Sequence, residues 1–193
     1  MIIDISQEVL SSKVFPGDPV PVTEQIKSIK NGDICNLTTI SMCAHNGTHM
    51  DAPFHFIDGG KTIDQISPEV FVGDCYVMRH DGDVSAEDAQ RIMELAKAAG
   101  ADRRILISGK ATVTEEAAEV FAQEQILLIG NESQTVGPES SPVKVHMILL
   151  GAGVVLLEGL VLDKVPDGKY LLSAAPLNFK GSDGSPCRAV LIS

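Results

Sequence analysis

SAEDAQRIMELAKAAG (85–100), followed by RRILISG (103–109), sets the fold class. Ser85 with Asp88 three residues later resembles a capping box, and Gly100 stands where a helix stop is expected. Ile92, Leu95, Ala96 and Ala99 supply an apolar face, so the spacing predicts a helix over 85–100. RRILISG is rich in β-formers and reads as a strand. The same alternation recurs twice. A helix from Thr114 to Gln123, with Thr114 as N-cap and two glutamates in its first turn, precedes the buried strand QILLIG (125–130). A third helix starts at Ser141–Pro142, an N-cap and N1 pair, runs to about Leu150 and stops at Gly151 and Gly153. It leads into VVLLEGL (154–160), a buried strand holding one carboxylate. Helix then strand, repeated, predicts an α/β fold with partly parallel packing.

Around these units the sequence is less regular. Ile2–Ser6 alternates as a short strand, FPGDPVPV (15–22) is an irregular loop, and Leu37–Met42 and the FVGDCYVMRH stretch (71–80) read as strands. KYLLSAAPLNFKGSDGSPCRAVLIS (169–193) suggests two strands around a glycine-rich turn. No repeat or composition shift marks a boundary within the 193 residues, which predicts a single domain over 1–193.

Composition excludes several classes. With 15 basic and 26 acidic residues the formal charge is −11, which repels phosphate backbones and anionic lipid heads; no nucleic-acid partner is expected. The apolar run 147–162 is interrupted by Gly151, Gly153, Glu158 and Gly159, so no membrane span is expected. Cys35, Cys43, Cys75 and Cys187 form no CxxC pair, and the N-terminus carries no basic leader; a reducing cytoplasm is the expected location.

Three of the five histidines fall within HNGTHMDAPFH (45–55). His45, Gly47, His49, Asp51, Pro53 and His55 are all odd-numbered, so an extended backbone aims them to one side. A regular strand would separate the Cα atoms of His45 and His49 by roughly 13 Å, too far for two imidazoles to share one ion. A bend near Gly47 is therefore expected. His45, His49 and Asp51 make half of a site for a divalent transition metal. His146 and Glu158 complete it: a carboxylate in an apolar run is costly unless it meets charge or metal. Three imidazoles and two carboxylates suffice for two ions with the carboxylates bridging. His55 is then free to carry protons as general acid and base. Simpler readings exist. The histidine stretch could be a loop without an ion, Glu158 could pair with Lys144 or Lys164, Phe15 could be core filling, and Glu115, Glu116 and Glu119 could be a solvated helix face. His80, in RHDGD, reads as a solvated turn.

HNGTHMDAPFH resembles the HxGTHxDxPxH signature of the cyclase-like metal-dependent hydrolases, a superfamily that includes bacterial kynurenine formamidases and isatin hydrolases. FPGDP (15–19), HMILLGAGVVLLEGL (146–160) and APLNFKGSDGSPCRAVL (175–191) resemble further segments of that superfamily in the same order. The resemblance implies a swivelling β/β/α domain with a mixed or barrel-like sheet, assembled as a homodimer. It implies His45, His49 and Asp51 as ligands of one metal, His146 on a second, Asp51 and Glu158 as bridges, and His55 as proton donor and acceptor. Phe15 falls where kynurenine formamidases carry a substrate-packing tryptophan. Two segments depart from the pattern: GNESQTVGP (130–138) replaces an aspartate-bearing stretch, and EGL (158–160) replaces ENL. The expected activity is hydrolysis of a small amide C–N bond by metal-activated water, with zinc expected first and manganese second. N-formylkynurenine, giving kynurenine and formate, is the leading substrate. A cyclic amide or lactone is the alternative within that chemistry, and a non-catalytic metal-binding module the alternative outside it.

Overall fold

A computed structural model describes all 193 residues. Thirteen strands and three α-helices follow one another along the chain: β1 (Ile2–Asp4), β2 (Val22–Lys27), β3 (Leu37–Ser41), β4 (His49–Asp51), β5 (Val72–Arg79), β6 (Gly82–Val84), α1 (Ala86–Ala99), β7 (Arg104–Ser108), β8 (Ala111–Val113), α2 (Glu115–Gln123), β9 (Leu128–Asn131), α3 (Val143–Gly151), β10 (Val155–Glu158), β11 (Gly168–Ser173), β12 (Gly184–Pro186) and β13 (Val190–Ile192). Nine strands form one mixed sheet in the order β1-β13-β11-β5-β7-β9-β10-β4-β12. Its centre, β5-β7-β9-β10, is parallel, built by the predicted helix–strand units, and antiparallel strands extend it on both sides. A bridge between Ser6 and Leu160 links the continuations of β1 and β10, so the sheet curls toward closure in the expected barrel-like manner.

β7, β9 and β10 are buried on both faces, as parallel strands at the centre of a sheet are, while β5 buries Cys75 and Val77 and leaves its ends exposed. Alternation divides their side chains. Ile105, Ile107, Ile129 and Leu156 pack under the helices with Ile92, Met93, Phe121 and Leu149. Leu106, Leu128, Val155 and Leu157 point to the other face and pack inside the curl with Met50, Val77, Leu172 and Leu191. Phe121 is fully buried beneath the helix layer. Phe121→Ala should cost about 3–5 kcal/mol, read as a lower denaturation midpoint, because the space around it is already filled from three helices and the sheet. A loss below about 1 kcal/mol would contradict this packing.

The caps follow the sequence closely. The Ser85 hydroxyl accepts from the Asp88 amide at 3.1 Å, and Asp88 accepts in return from the Ser85 amide at 3.0 Å. Thr114 caps α2 through the Ala117 amide. Three details differ from expectation. Leu95 is exposed: the buried face of α1 runs through Ala89, Ile92, Met93 and Ala96, at 3–4-residue spacing, and Leu95 lies off that line. Ser141 does not cap α3; Pro142 occupies the cap with helical dihedrals and no side chain closes it. The C-terminal stretch forms three strands, because the glycine-rich segment itself contributes β12 to the far edge beside β4.

Candidate metal centre and active-site pocket

Antiparallel pairing of β4 with β10 sets Glu158 opposite His49 and Leu156 opposite Asp51. His49 and Asp51 flank Met50, whose side chain goes into the curl, so they project to the helix-covered face. α3 brings His146 over the same face, where it is 3% exposed. Before β4 the chain turns at residues 44–48, with Gly47 at φ +67°, and this bend folds His45 back toward Asp51. Gly159 sits at φ +68°, and a Cβ there would meet the Gly47 carbonyl oxygen at 2.5 Å, so the close approach of residues 47 and 159 requires the glycine of EGL and leaves no room for the asparagine of ENL.

The five predicted ligands converge. Asp51 Oδ1 is 2.7 Å from His45 Nδ1 and 3.4 Å from His49 Nε2, while its Oδ2 is 3.5 Å from His146 Nε2. Glu158 faces the same two imidazoles, Oε2 at 3.5 Å from His49 Nε2 and Oε1 at 3.3 Å from His146 Nε2. Both carboxylates thus span the gap between a His45/His49 side and a His146 side. Glu158 is 2% exposed and meets neither Lys144, which pairs with Glu115, nor Lys164. His80 is half-buried after β5, with its Nε2 3.0 Å from the Asp83 carbonyl and no part in the cluster.

The outer nitrogens are also committed. His49 Nδ1 lies 2.9 Å from the Gly47 carbonyl and His146 Nδ1 2.9 Å from the Pro142 carbonyl. His45 Nε2 lies 2.8 Å from Asp183 Oδ2. Carbonyls and a carboxylate behind each ring fix the tautomers, so that His45 Nδ1, His49 Nε2 and His146 Nε2 face the carboxylates. Buried imidazoles and carboxylates oriented in this way fit a divalent transition metal.

Charge within the cluster is mutually supported. Burial disfavours charged His45, yet hydrogen bonds to Asp183 and Asp51 outweigh it and raise its pKa to about 9. Burial likewise opposes charge on His49 and His146, but bonds to Asp51 and Glu158 raise both to about 10. Asp51 is held well below the usual carboxylate range: burial alone would push it up, and the histidines reverse this. These histidines bind protons more tightly folded than at their ordinary value of 6.5, so in metal-free protein their contribution is complete below about pH 6.5 and is lost as pH rises through about 9 to 10. Chelated protein should therefore show an unfolding midpoint that declines across that interval. A midpoint constant from neutral pH to pH 10 would contradict the arrangement.

His55 follows Pro53 in a 3₁₀ turn and stacks on His45, ring centroids 4.0 Å apart. Its Nδ1 is 3.3 Å from Asp183 Oδ2 and its Nε2 4.0 Å from Asp51 Oδ2. Burial is the main reason its pKa falls below the ordinary value, which keeps it neutral near pH 7. Asp183 is the site residue that sequence reasoning missed. It lies 138 residues from His45, and its only signal is the GSDGSP turn, where it reads as a loop aspartate.

A cavity of about 340 Å³ opens onto the cluster, with Phe15, Phe56, Pro142, Gln134 and Thr135 in its wall. Cys43 also lines it, but burial pushes its thiol up, which does not suit a nucleophile. A wider, more open groove of about 710 Å³ shares the 130–140 loop and holds no histidine.

The chain matches the family model described as “Putative cyclase” (Cyclase) over residues 3–138. It is similar to kynurenine formamidase of Paracidovorax citrulli (strain AAC00-1), at 33% identity over 99% of this chain and 96% of that protein. It is 31% identical to kynurenine formamidase of Salinibacter ruber (strain DSM 13855 / M31), over 98% and 96% respectively. Among solved structures it is similar to a predicted metal-dependent hydrolase from Bacillus stearothermophilus, with TM-score 0.81, 26% identity and coverage of 99% and 97%. Its fold is also that of isatin hydrolase A from Labrenzia aggregata, with TM-score 0.82, 24% identity and coverage of 99% and 93%. The family match spans more than half of the sequence, and the curated relatives match it from end to end: the chain belongs to the Cyclase family.

Proposed function

We propose that this protein is a metal-dependent amidohydrolase of the arylformamidase type, converting N-formylkynurenine to kynurenine and formate. The observation that carries this reading is the convergence of three imidazoles and two carboxylates beside a fourth imidazole, His55, whose Nε2 faces the cavity side of Asp51. End-to-end similarity to kynurenine formamidases supports the substrate.

In this reading His45, His49 and Asp51 would hold one ion and His146 a second, with Asp51 and Glu158 placed to serve both. Zinc is the first expectation and manganese the second. When bound, such ions supply Lewis acidity that makes hydroxide available near neutral pH and polarises a carbonyl. The chain's own groups do the rest. The Asp183 carboxylate, 3.3 Å from His55 Nδ1, favours the proton on that nitrogen and leaves Nε2 as the basic one. Neutral His55 takes the proton released as water attacks and returns it to the departing arylamine nitrogen. Phe15 and Phe56 pack on the aromatic part of the substrate and keep water from it.

We infer a homodimer as well. The β2–β3 ribbon leaves Val22, Ile26, Leu37 and Ile40 open to solvent, an apolar surface that a second copy would cover. Sedimentation as a monomer at micromolar concentration would refute it. No helix is long and apolar enough to cross a membrane; a cytoplasmic setting, with all four cysteines unpaired, completes the reading. We take residues 1–193 to act as one unit.

The test is turnover of metal-loaded protein on N-formylkynurenine, isatin and an aromatic lactone. Turnover of the formamide is expected to dominate. Turnover of isatin or the lactone alone would move the activity to ring opening. Tight metal binding with no turnover of any of the three would make this a metal-binding module.

A further inference from the structure

The loop that replaces the family's aspartate-bearing stretch, 130–138, carries two polar atoms that the fold leaves without a partner: Gln134 Oε1 and Thr135 Oγ1. Thr135 is 3% exposed. Both residues line the cavity in front of the metal cluster. Leaving a buried polar group unpaired is costly, so such atoms call for an explanation. The loop around them is firmly held. Asn131 Nδ2 donates to the Thr135 carbonyl at 3.2 Å, and the Val136 amide donates to Glu158 Oε1 at 2.8 Å. The Gln134 amide nitrogen donates to the Lys13 carbonyl, which fixes the flip of that side chain and leaves its oxygen as a pure acceptor. The remaining unpartnered atom, Asn131 Oδ1, belongs to a residue outside the cavity lining.

We propose that Gln134 Oε1 and Thr135 Oγ1 form the polar subsite that selects the substrate, and that they receive its amide N–H. An acceptor beside a hydroxyl matches an N–H next to a carbonyl. An ester or lactone places an oxygen there, which cannot donate and leaves Gln134 Oε1 desolvated and unpaired. A site built to bond an N–H discriminates strongly against an analogue lacking it, for this reason. The subsite rests on the hydrolase reading and sharpens it: secondary aryl amides are the substrate class, and lactones are excluded.

The test uses metal-loaded wild type, Thr135→Val and Gln134→Leu. Calorimetry measures affinity for acetanilide and for N-methylacetanilide, and kinetics measures kcat/KM on formanilide against phenyl formate. Wild type is expected to prefer the N–H ligand by roughly 10- to 100-fold. That preference should shrink toward one in each variant, and the amide-to-ester ratio of kcat/KM should fall in parallel. Comparing ratios between proteins cancels the bulk of the methyl group and the intrinsic reactivity of the ester. Thr135→Val removes an unpaired hydroxyl at constant shape, so its unfolding midpoint should hold or rise; a fall would mean that the hydroxyl serves the fold. The proposal is overturned by that fall, or by the same N–H preference in all three proteins. Binding that keeps the N–H preference while nothing is hydrolysed would instead sink the hydrolase reading and leave the subsite standing.

Discussion

His55→Ala keeps the full complement of metal and loses kcat by a factor of about 10² to 10⁴, the range for removal of a positioned general acid and base. KM should change little. The ring is held from two sides. Asp183 Oδ2 lies 3.3 Å from Nδ1, favouring the proton there, and His45 stacks on the ring at 4.0 Å, which fixes its orientation. Burial keeps the ring neutral near pH 7, able to accept one proton and return it. Metal content decides between this role and ligation. His45, Asp51 and His55 also present donor atoms within 4.8 Å of one another, so a ligand role for His55 is geometrically open. Loss of an ion in His55→Ala, measured by elemental analysis, would make His55 a ligand and remove it from proton transfer.

Asp51→Asn should be more severe. Asp51 is 1% exposed and is the one group that faces His45 and His49 through one oxygen and His146 through the other. Asparagine keeps the shape but loses the charge and one acceptor. Metal occupancy should fall to a small fraction of the wild-type value. The rate should drop by at least about 10³, since loss of several kcal/mol of transition-state stabilisation at about 1.4 kcal/mol per factor of ten gives that much. The metal-free fold suffers too. Removing the carboxylate from beside buried His49 and His146 and part-buried His45 breaks a largely buried charge network, at a cost of roughly 3–5 kcal/mol near neutral pH. Elemental analysis and a denaturation midpoint read the two effects separately. Full metal occupancy in Asp51→Asn would remove Asp51 from the ligand set.

Much of this molecule could be read from local chemistry. Ser85, Asp88, Gly100 and Thr114 announce their helices because caps act within four residues. Gly47 announces its bend because a straight strand could not bring His45 to Asp51. Glu158 stands out as the one charge in an apolar run. What stayed hidden depends on distant partners. Residues 22–27 build a ribbon with no core of its own, so no buried face marks them. β6, β8 and β12 are three residues each, too short to show a period. The antiparallel register that sets Glu158 against His49 is a property of the assembled sheet. Asp183 reaches the site only because β12 joins the edge at β4, where Ser185 pairs with Met50, and Leu95 misled because an apolar side chain one step off a helix face looks like part of it.

Two divalent ions are expected to be trapped jointly by His45, His49, Asp51, His146 and Glu158. The most direct measurement is anomalous diffraction from crystals grown with zinc, collected on both sides of the zinc edge. Two peaks are predicted, one among His45, His49 and Asp51 and one beside His146, both within reach of Asp51 and Glu158. Strong peaks elsewhere on the protein with none in this cluster would contradict the account.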